Sequence, residues 1–187
     1  MPYFTEAEFS IVAKARAGGR LFEAVVAYAR QESKIGKTTS VFVSHAHAER
    51  GKIAEATAFL KGMNVEVYVD WADETMPEKT SGVTAMKIRH KIVMSDRFLL
   101  IATNAAVSSK WCNWELGIGD AFKASNDKLV ILPLADNRGN WIGNEYIQVY
   151  PRVEPVPNGV GGYYDNIFRI VYPDGKTKWL DDWLKEV

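Results

Sequence analysis

The chain has 187 residues, 47% of them hydrophobic and 25% charged, which is typical of one soluble globular domain with a core of its own. Its 23 basic and 23 acidic residues cancel, so no overall charge would attract nucleic acid or an anionic membrane surface. One cysteine excludes an internal disulfide, and no apolar run or signal-peptide pattern points to a membrane, so we expect a cytoplasmic protein.

The N-terminal part of the chain predicts helices. Apolar residues recur at helical spacing over residues 5–32, and the pair Gly18-Gly19 predicts a break between two helices. A polar stretch then leads into a different pattern. We therefore predict an N-terminal helical extension over 1–36 and a main domain over 37–187.

Strands alternate with helices in the main domain. A long polar loop, which holds Pro77, separates the second strand from the helix after it. Alternation at this spacing predicts a parallel sheet with helices on both faces. The predicted strands cover 41–43, 65–70, 98–102 and 129–133, and the predicted helices cover 48–61, 83–95 and 108–123.

The pattern weakens after Pro133. We predict a turn at 137–140, an edge strand over 145–150, a short strand over 168–171 and a terminal helix over 176–186.

Polar side chains follow the first two predicted strands. Ser44 and His45 come at the end of the first strand, and Asp70 and Trp71 at the end of the second. In open α/β sheets, ligands bind at the carboxyl ends of the strands. These residues are therefore candidates for a binding site.

The helix over 108–123 supplies the most specific string of the sequence. Trp111 and Glu115 are four residues apart, so they project from one helical face, and Ser108 or Ser109 is a natural N-cap. We expect a carboxylate beside an aromatic ring, close to the edge of the sheet where a ligand binds. Trp114, in contrast, is expected to be structural.

These strings together resemble the TIR (Toll/interleukin-1 receptor) domain family. The resemblance covers roughly residues 41–135 and is closest to bacterial TIR proteins, including those of Thoeris-type anti-phage systems. The strings that carry it are Phe42-Val43-Ser44, Tyr68-Val69-Asp70, the loop Trp71 to Gly82, Ser109-Lys110-Trp111-Cys112-Asn113-Trp114-Glu115-Leu116 and, downstream, Glu145-Tyr146-Ile147-Gln148-Val149-Tyr150-Pro151.

The resemblance implies a flavodoxin-like α/β fold and an enzyme that cleaves the bond between nicotinamide and ribose in NAD+, as an NAD+ glycohydrolase (a hydrolase) or an ADP-ribosyl cyclase. Glu115 would be the catalytic carboxylate. No metal and no cofactor are implied, because NAD+ is the substrate. The residues expected to bind it are Ser44, His45, Asp70, Trp71 and Trp111.

The resemblance also implies partners. TIR domains associate with one another, and a linear or cyclic ADP-ribose product would act as a second messenger on a separate effector in antiviral defence. The main alternative is a non-catalytic TIR interaction or adaptor module. A more distant one is a nucleoside deoxyribosyltransferase, which shares the flavodoxin-like plan and a glutamate.

Less specific interpretations of single residues stay open. Glu115 could be an ordinary surface carboxylate of an amphipathic helix. His45 and His47 could join Asp70 in a metal site, although no further ligand is obvious. Cys112 lies near a helix N-terminus, which can lower the pKa of a thiol, but buried packing is the better interpretation.

Overall fold

The computed structural model describes residues 3–16, 38–73 and 81–186, which form a sheet covered by helices. The strands are β1 (Phe4–Thr5), β2 (Ser40–Ser44), β3 (Glu66–Tyr68), β4 (Arg97–Ala102), β5 (Leu129–Ala135), β6 (Arg152–Pro157), β7 (Tyr163–Val171) and β8 (Thr177–Trp179). The α-helices are α1 (Glu6–Arg16), α2 (Arg50–Lys61), α3 (Gly82–Met94), α4 (Asn104–Ser108), α5 (Lys110–Lys123) and α6 (Leu180–Lys185).

The sheet has the order β3-β2-β4-β5-β6-β7-β8, with β1 paired separately to β5. The strands from β3 to β6 pair in parallel, whereas β7 and β8 are antiparallel additions at one side. This confirms the predicted α/β class, a flavodoxin-like central parallel sheet flanked by helices. The carboxyl ends of β2 and β4 therefore lie side by side, with Ser44 paired to Leu100.

Alternation along β2 determines which side chains face which helices. Val41 and Val43 join the core that contains α1, α2 and α6, whereas Phe42 joins the core beneath α3 and α5. Successive residues of a strand point to opposite faces, so Ser44 lies on the same face as Phe42. The strand pattern thus directs the Ser44 hydroxyl toward α5.

The first residues of the chain belong to the same sheet and core. Phe4 of β1 pairs with Leu134, and Phe9 of α1 packs edge-on against Phe59 of α2, with ring centroids 5.4 Å apart. The first of the two helices predicted within 5–32 is confirmed over Glu6–Arg16, whereas the Gly18-Gly19 break and the second helix lie outside the described residues. The predicted boundary between 36 and 37 also lies outside them and stays a prediction.

The predicted edge strand over 145–150 is wrong. Those residues form the 3-10 helix Glu145–Val149, which buries Ile147 against the core beneath α5. The strand lies further along, in β6, although β6 contains Pro155 and Pro157. Prolines are tolerated because the parallel pairing of β6 to β5 consists of one residue pair, so few of its N–H groups are needed there.

The rest of the C-terminal prediction is partly confirmed. The turn at 137–140 is present, and the short strand over 168–171 forms part of β7. The terminal helix begins later than predicted, at Leu180, because Thr177–Trp179 pair with β7 as β8. No helix in the described part of the chain is both long enough and apolar enough to span a membrane.

Candidate active site

Glu115 lies inside the molecule, beneath the N-terminal half of α5. The helix begins at Ser109, whose side chain accepts a hydrogen bond from the N–H of Cys112 at 3.3 Å, so Ser109 is the N-cap. The Glu115 residue is 3% exposed. Its Oε2 accepts a hydrogen bond of 2.5 Å from Oγ of Ser44. The end of β2 is thus joined to α5 through a serine hydroxyl and a buried carboxylate.

The surroundings of Glu115 disfavour its charge. Burial is the main reason that the pKa of Glu115 is raised to about 8, and the negative charge of Asp70 acts in the same direction. The hydrogen bonds from Ser44 and Trp111 and the charge of His47 act in the opposite direction. No Lys or Arg among the described residues forms an ion pair with it. A carboxyl with a pKa this close to neutral pH gains and loses its proton easily under ordinary conditions, and such perturbed pKa values are common among catalytic groups.

Asp70 lies between two histidines of the loop that follows β2. Its Oδ2 is 2.8 Å from Nε2 of His47, and its Oδ1 is 3.5 Å from Nε2 of His45. The two imidazole rings stack with centroids 5.6 Å apart. Asp70 and His45 are buried, whereas the side chain of His47 is about half exposed. The two strand ends that sequence analysis singled out therefore meet at one place.

His45 is held as a neutral ring. Burial lowers its pKa, although Asp70 opposes that shift. Nδ1 lies 3.1 Å from the carbonyl oxygen of Val43, and because a carbonyl only accepts, Nδ1 carries the proton. Nε2 is then an acceptor, and it is buried with no hydrogen-bond partner among the described residues. A ligand that donates a hydrogen bond would satisfy it.

Trp111 stands one helical turn before Glu115 and is partly buried against the same core. Its Nε1 is buried, and the indole N–H acts as a hydrogen-bond donor toward Glu115, whose pKa it lowers. Trp114 contacts it, with ring centroids 5.1 Å apart. Trp114 itself is 38% exposed, so it packs on Trp111 at the surface of α5 and not in the buried core.

Cys112 is packed in the core. It is 1% exposed, and burial raises the pKa of its thiol to about 11, which leaves it protonated at neutral pH. The N-terminus of α5 therefore does not activate this thiol. Cys112 serves packing, as sequence analysis favoured.

Two site residues of the sequence analysis are placed less directly. Asp70–Ala72 form a 3-10 turn, but the side chain of Trp71 lies outside the described part of the structure. Residues 74–80 of the long loop lie outside it as well. The described residues, His45, His47 and Asp70 among them, contain no group of three or more His, Cys, Asp or Glu arranged to hold an ion.

Sequence reasoning missed a third carboxylate at this edge of the sheet, besides Glu115 and Asp70. Glu49 accepts a hydrogen bond of 2.5 Å from Oγ1 of Thr103, the first residue after β4. The signal available was position alone, since both residues follow strand ends. Asn104, which follows Thr103, binds the loop at Asn140 and Ile142.

The fold and this edge define an α/β domain in which helix α5 places a buried carboxylate at the carboxyl ends of the parallel strands, with no cation paired to it among the described residues. The family model of the TIR domain matches residues 41–148, more than half of the chain. The chain therefore belongs to the TIR domain family.

A curated relative comes from Bacillus cereus (strain MSX-D12) and is named "Probable 3' cyclic ADP-D-ribose synthase ThsB'". It is 29% identical to this chain over 121 residues. The match covers 63% of this chain and 61% of the relative, so the similarity spans less than two thirds of the relative's length.

Proposed function

We propose that this protein is an enzyme that cleaves NAD+ between nicotinamide and ribose and releases a linear or cyclic ADP-ribose. The observation that carries the proposal is Glu115: a buried carboxyl with a pKa of about 8 and a serine hydroxyl as its hydrogen-bond donor. The name of the Bacillus relative supports the same chemistry.

The charge of the substrate suits this site. The nicotinamide ring of NAD+ is cationic, and an opposite charge within a few ångströms favours the ionised form of a carboxyl. Substrate binding would therefore drive the Glu115 proton off. Because no cation of the described residues pairs with Glu115, its charge is available to the ligand.

Cleavage moves positive charge from the nicotinamide ring to the ribose. The electron pair of the breaking bond goes to the ring nitrogen, so nicotinamide leaves neutral and needs no general acid. The ribose carbon becomes oxocarbenium-like, and the Glu115 carboxylate stabilises that charge. A preorganised carboxylate in a buried site does this more effectively than water.

The ribosyl cation is then captured by an oxygen nucleophile. Water gives ADP-ribose, whereas a hydroxyl of the same molecule gives a cyclic product. In both cases the attacking oxygen loses a proton, and the Glu115 carboxylate can accept it, since its pKa of about 8 suits a base at neutral pH. The exclusion of water decides between the two products.

Neighbouring residues would bind the substrate. Nε2 of His45, a buried acceptor, suits a ribose hydroxyl, and Ser44 and Asp70 offer further polar contacts at the same edge. Trp111 would stack on a ring of the dinucleotide, and Trp71 follows Asp70 in the chain. NAD+ is the substrate in this proposal, and no further cofactor or metal takes part.

The biological setting follows from the same proposal. The product would act as a second messenger on a separate effector in the cytoplasm, in an anti-phage response of the Thoeris type. TIR–TIR self-association would accompany it. The alternative is a TIR interaction or adaptor module, which is favoured by the exposed apolar residues Trp114 and Phe122 on α5.

Incubation of the concentrated full chain with NAD+, followed by liquid chromatography and mass spectrometry, tests the proposal. We expect nicotinamide release from the wild type and a loss of at least about a hundredfold in Glu115→Gln, which keeps the size and removes the charge. Glu66→Gln, at an exposed carboxylate of β3, is the matched control and should retain activity.

The partner product identifies the path, because ADP-ribose is heavier than a cyclic product by one water. No release at any protein concentration, with or without a crowding agent, would reject the enzyme in favour of the adaptor. Equal release from the wild type and Glu115→Gln would retain the activity and reject Glu115 as its carboxylate.

A further inference from the structure

A second carboxylate joins the two segments that meet at the candidate site. Glu49 directly precedes α2, and its Oε2 accepts the hydrogen bond from Thr103 Oγ1. Thr103 is 1% exposed and is the N-cap of α4: its hydroxyl also accepts the N–H of Ala106 at 3.1 Å. One carboxylate oxygen thus fixes the rotamer of the residue that starts α4, and α5 follows α4 directly.

The other oxygen of Glu49 is tied to the N-terminal helix. Oε1 accepts a hydrogen bond of 2.7 Å from Nζ of Lys52, and the same Nζ lies 2.5 Å from Oε1 of Glu6 in α1. The side chains of Glu49, Glu6 and Lys52 are 12%, 21% and 33% exposed, so solvent screens this network only in part. Both Glu49 oxygens are therefore engaged.

The segments after β2 and after β4 are consequently joined twice. One connection is the Ser44–Glu115 hydrogen bond, and the other is the Glu49–Thr103 hydrogen bond. In the proposed function Glu115 also acts on the substrate, so the first connection belongs to the reacting group itself. The second connection involves neither Ser44 nor Glu115, so it persists if the Ser44–Glu115 hydrogen bond changes when a substrate binds.

We propose that Glu49 is a positioning residue: its bond to Thr103 keeps the β2 loop with Ser44 and His45 aligned with the α4–α5 segment that carries Glu115, and Lys52 of α2 links it to Glu6 of α1. This inference rests on the proposed function. Misplacement of reacting groups by as little as about 1 Å costs up to about a hundredfold in rate. The network therefore gives the N-terminal helix a direct effect on the site.

Four variants separate this role from ordinary stability. Glu49→Gln and Thr103→Val each weaken or remove the connection, whereas Thr103→Ser keeps the hydroxyl. The matched control is Glu55→Gln, because Glu55 also ties α2 to α1, through Ser10 at 2.8 Å and Lys14 at 3.3 Å, but has no bond to the strand ends.

Two measurements on the full-length chain test the proposal. In nicotinamide release we expect kcat to fall about tenfold or more in Glu49→Gln and Thr103→Val, with KM within about twofold, and to stay near wild type in Thr103→Ser and Glu55→Gln. In amide hydrogen exchange we expect faster exchange over 44–49 and 103–108 in the first two variants alone.

The outcomes are distinct. Unchanged kcat and unchanged exchange in Glu49→Gln and Thr103→Val overturn the positioning role, and so does an equal fall of kcat in Glu55→Gln. Wild-type protein that releases no nicotinamide rejects the proposed function instead. In that case the comparison of amide hydrogen exchange between Glu49→Gln and Glu55→Gln decides by itself whether Glu49 holds the two segments together.

Discussion

Glu115 in α5 and Glu154 in β6 are both buried glutamates, 3% and 2% exposed, but they have opposite surroundings. Glu154 lies between two guanidinium groups, 2.7 Å from Nε of Arg152 and 3.5 Å from Nη2 of Arg169. Glu115 has a serine hydroxyl as its donor and the negative charge of Asp70 nearby. Burial alone is therefore common to a structural carboxylate and a candidate reactive one.

The two glutamates differ in whether a basic side chain of the described residues pairs with them. A buried charge is unfavourable unless it is paired, and the arginines of β6 and β7 supply that pairing for Glu154 inside the fold. No Lys or Arg in the described part of the chain pairs with Glu115, and its pKa rises to about 8 instead. In our proposal the cationic nicotinamide ring of the substrate takes the place that the arginines occupy at Glu154.

Exchanging each glutamate for glutamine gives the sharpest contrast. Glu154→Gln leaves Arg152 and Arg169 without their partner, and we expect it to lower the free energy of unfolding by about 2 kcal/mol, a value reduced from that of fully buried pairs because both arginines are about one third exposed. Urea denaturation measures this. The folded fraction should still release nicotinamide.

Glu115→Gln should behave in the opposite way, with activity lost and stability retained at neutral pH. The contrast fails if both variants lose the same activity, or if Glu115→Gln is the more destabilised of the two.

The pH dependence of stability gives a smaller effect. The pKa of Glu115 is raised in the folded state, so its stabilising contribution is complete below its unfolded pKa and disappears as the pH rises through about 8. Between pH 7 and 9 the wild type should lose about 1 kcal/mol relative to Glu115→Gln, which cannot ionise there. Thermal or urea denaturation of both proteins across this range measures the difference, and parallel curves would contradict it.

Much of the candidate active site at the carboxyl ends of the strands could be predicted, because it depends on local patterns. The apolar run of β2 ends at Ser44, strand alternation sends Ser44 toward α5, and the spacing of Trp111 and Glu115 places them on one helical face. The carboxyl ends of parallel strands adjoin in any such sheet, so the meeting of Ser44, Asp70 and Glu115 required no knowledge of distant contacts.

The parts that could not be predicted depend on contacts between residues far apart in the chain. The bond between Glu49 and Thr103 joins two loops 54 residues apart, and no local pattern specifies it. Glu154 was missed because the strand was predicted over 145–150, whereas the prolines of β6 obscure a strand that its pairing with β7 stabilises. The two-residue strand β1 is too short for any periodicity to reveal.

The pH profile of kcat/KM for nicotinamide release tests the central claim most directly, because it reports ionisation of the free enzyme's essential group. If the Glu115 carboxylate is the reacting group, kcat/KM rises with pH and levels off above an apparent pKa of about 8, and Glu115→Gln has no such step. A wild-type profile that is flat between pH 6 and 9, or an identical step in Glu115→Gln, would contradict the account.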